Sequence, residues 1–443
     1  MNKQWLLGCP MPQCGKLANG YFNAGPMMQD DREGNNTDDS RLQIVTDVTE
    51  ADYEAYLAAI KAQGIKVPYE NCMSWDKFFA FSYEGKIYHV SYGAKRGELR
   101  LVEDPDSMLP GEFGYEAKGE NKTTVYQYGL YYNPENNVTR HTVNCGMGYV
   151  IRLSDNSLFI MDGGHFTQWG KESFEAFRKF LFEITETPED GKLRISCWYC
   201  THGHDDHLDG FMHLIDLHHD QIVLERVMHG YPSFSHCSGG YSISAFENKA
   251  LILQHYPDVK RLKLHTGQAF MLSDMKVEVM YAHDDAARAE DLSKINLNDF
   301  NCTSTVLKLT IDGKTAMMLG DTNVESEAII AANRDPKLWK ADLVQVGHHC
   351  FNYLDTLYAW IGAPSAFMPN SHYGCHTEDN LPKLAAVLKP LVNDQIYYEG
   401  AGTVGLQAGE EGFVKVFSRE LVGGPYDDSW LQWRNVPSYL IED

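Results

Sequence analysis

The sequence has no long hydrophobic run. No window offers the roughly 18 consecutive apolar residues that a membrane-spanning helix needs, so no membrane association is expected. The opening MNKQWLLGCPMPQCGK carries neither an apolar stretch of signal-peptide length nor a small-residue cleavage site. Positive charge is also scarce. The 38 Lys and Arg stand against 61 Asp and Glu, a formal net charge of −23. Proteins that grip nucleic acid present basic surface, so a long phosphate backbone is not expected as the main partner. A small phosphorylated substrate remains compatible wherever bound cations reverse the local sign. No internal repeat of fixed period is present.

A disulfide framework is lacking too. Ten cysteines are scattered over 443 residues, which fits a reducing, cytoplasmic setting. Cys197-Trp-Tyr-Cys200 has redox-motif spacing, but it lies in an apolar run. In a strand its two thiols point to opposite faces, so both read as structural. Cys9 and Cys14 flank a Pro-rich turn and read the same way.

Four segments follow from the patterning. Residues 1–40 are loop-like, with the acidic run QDDREGNNTDDS. Residues 41–105 read as a small α+β accessory module of βαβββ order. LQIVTDV is strand-like, Thr49 to Asp52 form a helix-capping pattern, and Tyr53, Tyr56, Leu57 and Ile60 follow at helical spacing. Gly64 stops that helix, KFFAFSYEGKIYHVSY reads as two strands around Glu84-Gly85, and ELRLVED is a further strand. The module carries no ligand cluster, so packing, a lid, or contact between copies in a homo-oligomer are its expected roles. Residues 106–140 read as a connection. From 141 to 443, strand patterns alternate with the helical patterns ESFEAFRKFLFEI, FMHLIDLHHD and LPKLAAVLKP, which predicts stacked α/β layers.

The chemistry concentrates in CTHGHDDHLDG, residues 200–210. His202, His204, Asp206 and His207 make the pattern H-x-H-x-D-H. The whole chain has only 18 histidines, so chance is a poor account of three of them in this spacing. A turn that projects two histidines one way and an Asp-His pair another can build two adjacent metal sites, and imidazole with carboxylate suits Zn²⁺, Mn²⁺ or Fe²⁺. Further ligand-type residues end other apolar runs: Asp162 in LFIMDGG, His229 in LERVMHG, Asp321 in TAMMLGD, and His348 with His349 in DLVQVGHH. In layered α/β proteins, ligands gather at the carboxyl ends of strands. Asp205, His213, His218 and His219 read as surface or helix residues, and His283 as structural.

Together these segments resemble the metallo-β-lactamase-fold hydrolases, and more narrowly the branch holding the hydrolase domain of ComEC-type competence proteins. The matching stretches are FIMDGG, HGHDDHLDG, NCTS, MMLGD, VGHHCF and HYGCH, from about residue 141 to 417. The resemblance implies a four-layer αββα fold and two divalent metal ions, zinc by preference and manganese or iron as alternatives. His202 and His204 would bind the first ion, Asp206 and His207 the second, and Asp321 both. One of His348 and His349 would complete the second site, with His348 favoured because it lies nearer the strand. Asp162 and Asn301 would orient ligand side chains.

The chain also departs from that pattern. Asn301-Cys302-Thr303-Ser304 lacks the histidine that many relatives supply to the first metal, and His229 is the candidate to replace it. Asp209 stands in place of a glycine, and Cys350-Phe351 in place of Gly-Ser. His372, Tyr373 and His376 fall in the stretch that flanks the substrate.

The implied activity is hydrolysis of a small-molecule substrate, most consistent with a phosphodiester or phosphate ester, by a water that the metals activate. Asp206 would orient that water, and Tyr373 or His376 would donate a hydrogen bond to the oxyanion or leaving group. Three other readings stay open: hydrolysis of a carbon ester, lactone, thioester or amide; a di-iron redox enzyme; and a metal-containing binding scaffold without catalysis.

Overall fold

The computed structural model describes residues 5–18, 41–104, 119–129, 147–164, 166–188, 190–229, 252, 254–286, 300–369, 395–399 and 402–420. The helical pattern LPKLAAVLKP lies outside them. Among the described residues no helix is long and apolar enough to cross a membrane.

The first sheet is built from β1 (Lys16–Leu17), β2 (Arg41–Thr46), β3 (Tyr69–Glu70), β4 (Lys77–Tyr83), β5 (Lys86–Gly93) and β6 (Glu98–Asp104), in the order β1-β2-β6-β5-β4-β3. Helix α1 (Glu50–Ala62) covers one face. Its start is a reciprocal cap: Asp52 N donates to Thr49 Oγ1 at 3.2 Å, and Thr49 N donates to Asp52 Oδ2 at 2.8 Å. Tyr53, Tyr56, Leu57 and Ile60 are buried against Phe79, Phe81, Tyr88 and Leu101. The β4–β5 hairpin turns at Glu84 and Gly85, both at positive φ, as a two-residue loop of that hand requires. β2, α1, β4, β5 and β6 lie on the segments read as strand and helix from the sequence. β1 and β3 are additions: each has only two residues, too short to leave an alternation in the sequence.

Two larger sheets face each other. One holds β7 (Thr124–Gln127), β8 (Gly148–Arg152), β9 (Leu158–Asp162), β10 (Leu193–Cys200), β11 (Ile222–Leu224), β12 (Arg226–His229), β13 (Lys260–Lys263), β21 (Gly402–Gly409) and β22 (Gly412–Glu420). Its path is β13-β12-β10-β9-β8-β7-β21-β22, with β11 beside β10. The other is β14 (Ala269–Leu272), β15 (Met275–Tyr281), β16 (Val306–Ile311), β17 (Lys314–Met318), β18 (Leu343–Gln345), β19 (Ser365–Met368) and β20 (Ile396–Tyr398), in sequence order.

The alternation of side chains decides the layering. Tyr149, Phe159, Met161, Cys197 and Tyr199 join Val277, Leu309, Met318 and Phe367 in one core between the sheets. Val150, Ile160, Trp198 and Cys200 point the other way, against α2 (Phe166–Ile184) and α3 (Asp205–His218). α2 presents Phe177, Phe180, Leu181 and Ile184 to that layer, the i, i+3, i+4, i+7 stripe of a surface helix. Beyond the second sheet, Met317, Val344 and Met368 pack on α5 (Val324–Asn333) and α6 (Asp355–Ile361), which follow the short α4 (His283–Ala286). The layers run α/β/β/α, as the resemblance implied. Cys197 and Cys200 do lie on opposite faces.

The first sheet is tied to this body by buried charge. Arg100 on β6 reaches Asp284 Oδ2 at 3.0 Å and Asp285 Oδ1 at 2.5 Å, both in α4. The Arg334 guanidinium stacks on Trp75, 3.8 Å from the ring centre.

Candidate metal centre

The candidate centre lies on one rim, where strands of both large sheets end. β9 ends at Asp162, and β10 runs into the H-x-H-x-D-H stretch. β17 and β18 lead to Asp321 and to His348-His349. His204 is the N-cap of α3, and its side chain makes no capping bond. Asp206 falls in the first turn of α3, where free N–H groups and the helix dipole favour a carboxylate.

One oxygen organises the geometry. Asp321 Oδ2 is 3.2 Å from His207 Nε2, 3.3 Å from His349 Nε2 and 3.8 Å from His202 Nε2. His349 Nε2 is also 3.1 Å from Asp206 Oδ2, and His202 Nε2 is 3.0 Å from His204 Nδ1. Two groups of converging ligand atoms result: Asp206, His207, Asp321 and His349, and beside them His202, His204 and Asp321. Asp321 belongs to both.

The buried polar atoms show that this arrangement fits metal. His207 Nε2, His349 Nε2 and Asp321 Oδ1 are buried and make no hydrogen bond among the described residues. The two imidazole nitrogens stand at hydrogen-bond distance from carboxylate oxygens without hydrogen-bond geometry, as ligands do when they aim at a shared ion. Left alone, such atoms cost free energy. A divalent cation would satisfy them.

The electrostatics agree. Burial alone would push the Asp321 carboxyl up, but His207 and His349 override this and hold it well below the usual carboxylate range. Burial lowers His349, yet Asp321 and Asp206 bring it up to about 10. His207 is raised well above its ordinary value by Asp321, Asp162 and Asp206, again against burial. His202 goes the other way: burial, His207 and His204 keep it neutral and ready to donate a lone pair. Protons here stand in for cations, which would displace them.

Behind the ligands lies a set of fixed partners. Asp162 Oδ2 accepts from His207 Nδ1 at 2.8 Å, and Thr201 donates to the same carboxylate from its N at 2.8 Å and its Oγ1 at 2.9 Å. Trp198 Nε1 donates to the Asp162 carbonyl at 2.8 Å. The Ser304 hydroxyl accepts from Asp321 N at 2.8 Å. Gly320, at φ +54°, makes room for this, since a Cβ there would stand 2.5 Å from Ser304 Oγ. Gln345 Oε1 accepts from Leu319 N and Gly320 N, each at 2.7 Å.

The structure brings together His202, His204, Asp206, His207, Asp321 and His349, with Asp162 behind them. Of the paired histidines, His349 and not His348, the one favoured from the sequence, falls in a ligand group. His348 Nε2 stands 4.0 Å from Asp321 Oδ2 at the half-exposed edge of the cluster. It is in contact with Asn301 Nδ2 at 3.1 Å and with Asn352. His348, His349 and Cys350 all take positive φ, and this left-handed turn swings the second histidine inward. Asn301 therefore contacts the outer histidine. His229 is buried at the end of β12 but joins neither group. His372, Tyr373 and His376 lie outside the described residues.

Glu399 was not anticipated. It follows β20 and is only 1% exposed, and neither carboxyl oxygen has a hydrogen-bond partner among the described residues. Gln345 pairs with Phe367, and Met368 with Tyr398, so Glu399 stands level with Gly347, one residue short of the paired histidines. Burial pushes its carboxyl well above the usual range, against the pull of His349 and His207. The strand-end placement that singled out Asp162 and Asp321 applies equally to IYYEG.

No protein-family model matches the chain, and no curated protein matches it. Solved structures do. The metallo-β-lactamase-fold protein YhfI from Bacillus subtilis is 13% identical, with a TM-score of 0.38 over 67% of this chain and 100% of that one. Zn²⁺-bound PqqB from Methylobacterium extorquens is 13% identical, with a TM-score of 0.35 over 62% of this chain and 90% of that one. A diphosphatase of the PhnP family is 14% identical, with a TM-score of 0.34 over 68% of this chain and 99% of that one. These are likenesses of outline, and the chemistry is read from the side chains of this chain.

Proposed function

We propose that this chain is a metal-dependent hydrolase with a dinuclear centre, acting on a phosphodiester or phosphate ester. The observation that carries the proposal is the position of Asp321 Oδ2 within reach of both ligand groups. His202 and His204 would hold one cation, Asp206, His207 and His349 the other, and Asp321 both. Zinc suits this donor set best, with manganese and iron as alternatives. When bound, a pair of divalent cations supplies Lewis acidity toward water and toward the substrate oxygen that gains charge.

The side chains do the rest. Asp162 fixes the His207 tautomer with Nδ1–H pointing back, so the Nε2 lone pair faces the centre. Asp206 is the partly exposed carboxylate of the cluster and is placed to orient a water at its open side. His348 lies at the rim, braced by Asn301 and Asn352, where an arriving substrate meets it. Tyr373 and His376 keep their proposed roles as hydrogen-bond donors to substrate. The phosphate-ester reading is supported by the spacing of the H-x-H-x-D-H, L-G-D and V-G-H-H stretches, as in the ComEC-type branch.

The test is a substrate panel. Protein stripped by a chelator and reloaded with Zn²⁺ or Mn²⁺ is assayed on bis-p-nitrophenyl phosphate, on lactones and on thioesters. Metal-restored cleavage of the phosphodiester is expected. Cleavage of lactone or thioester alone would move the assignment to carbon esters. A loaded, folded and inert protein would favour a binding scaffold.

A further inference from the structure

A second cluster of ligand-type side chains shares no residue with the centre. His265 follows β13 at the edge of one large sheet. His283 and Asp284 open α4, directly after β15 of the other. All three are at most 1% exposed. One ligand atom from each converges with the others within 4.8 Å, and the two imidazole rings stand 6.0 Å apart.

The carboxylate is held as a metal-binding carboxylate is held. Arg100 Nη1 donates to Asp284 Oδ2 at 3.0 Å, which fixes that oxygen. Oδ1 lies 3.5 Å from Thr266 N, a long contact. The neighbouring Asp285 is occupied differently: its Oδ2 accepts from Thr266 Oγ1 at 2.6 Å and its Oδ1 from Arg100 Nη2. The two adjacent acids are thus not equivalent. Asp285 accepts a short hydrogen bond at each oxygen, and Asp284 at Oδ2 with a long contact at Oδ1.

We infer that His265, His283 and Asp284 form a separate structural site for a transition-metal ion, with zinc the best match to two imidazoles and one carboxylate. An ion there would staple the edge of one large sheet to the first turn after the other. Through Asp284 and Arg100 it would also brace the first sheet against the body. Nothing in this inference depends on what the main centre hydrolyses.

The experiment is a metal count in a background where the main centre is disabled. The full chain carrying His202→Ala and His207→Ala is loaded with Co²⁺, desalted and analysed, with and without His283→Gln. About one Co²⁺ per chain should survive in the first protein, with the visible absorption of a low-coordinate Co²⁺, and His283→Gln should remove it. Equal metal content in the two proteins would overturn the site. If His283→Gln does not fold, anomalous diffraction at the zinc edge from wild-type crystals decides: a peak among His265, His283 and Asp284 supports the site, and its absence overturns it.

Discussion

Asp162 Oδ2 and His207 Nδ1 lie 2.8 Å apart, and this one bond sets which nitrogen of His207 faces Asp321. Asp162 can make it because it sits at φ +59° at the end of β9, a turn that Thr201 secures with two further donors. Removing the acceptor frees the ring to rotate and to exchange tautomers. Asp162→Ala should therefore weaken metal affinity by about 10–100-fold, read by competition with a zinc chelator. Unchanged affinity would mean that the bond does not position the ligand.

The paired histidines should separate cleanly. His349→Ala removes a nitrogen that stands 3.1 Å from Asp206 and 3.3 Å from Asp321, so one ion should be lost or held at least about 100-fold more weakly. His348→Ala should keep both ions, because its ring lies outside the converging groups. Metal analysis of the two variants checks this, and the reverse pattern would restore His348 as the ligand.

Stability should respond to pH differently with and without metal. In the metal-free protein the raised histidines stabilise the fold below about pH 6.5. That contribution fades as pH climbs toward the His349 value of about 10. The depressed Asp206 and Asp321 stabilise above about pH 4 and lose this in stronger acid. Metal must displace the protons on His207 and His349, so its affinity rises with pH. The gap in melting temperature between loaded and metal-free protein should widen from pH 5 to 9 by roughly several degrees. A constant or shrinking gap would contradict this.

Glu399 places a carboxyl in the interior with neither oxygen bonded to any of the described residues. Such a group costs about 1–3 kcal/mol. Glu399→Leu should therefore raise the stability of the metal-free protein by about that amount, measured by urea unfolding. Destabilisation would show that the carboxyl has a partner in the folded chain.

What the sequence revealed, and what it hid, follows from the range of each interaction. His202, His204, Asp206 and His207 were legible because their spacing is local, set by a strand end and the first turn of one helix. Asp321 and Asp162 were legible because each closes an apolar run. The choice of His349 over His348 was not, because it hangs on a left-handed turn made by His348, His349 and Cys350 with no glycine among them to signal it. Glu399 was hidden for another reason: its place depends on β20 pairing with β19, which itself pairs with β18, contacts between segments apart in the sequence. The capping box at Thr49 and the Glu84-Gly85 hairpin were readable for the same reason as the main motif, and the two-residue strands β1 and β3 were not.

The most direct test is the metal content of Asp321→Ala, compared with wild type by mass spectrometry of the desalted proteins. If Asp321 Oδ2 joins two ligand groups into one dinuclear centre, the variant should lose about two of the ions that the wild type carries and lose hydrolysis with them. Retention of the full metal complement by a folded Asp321→Ala protein would contradict the account.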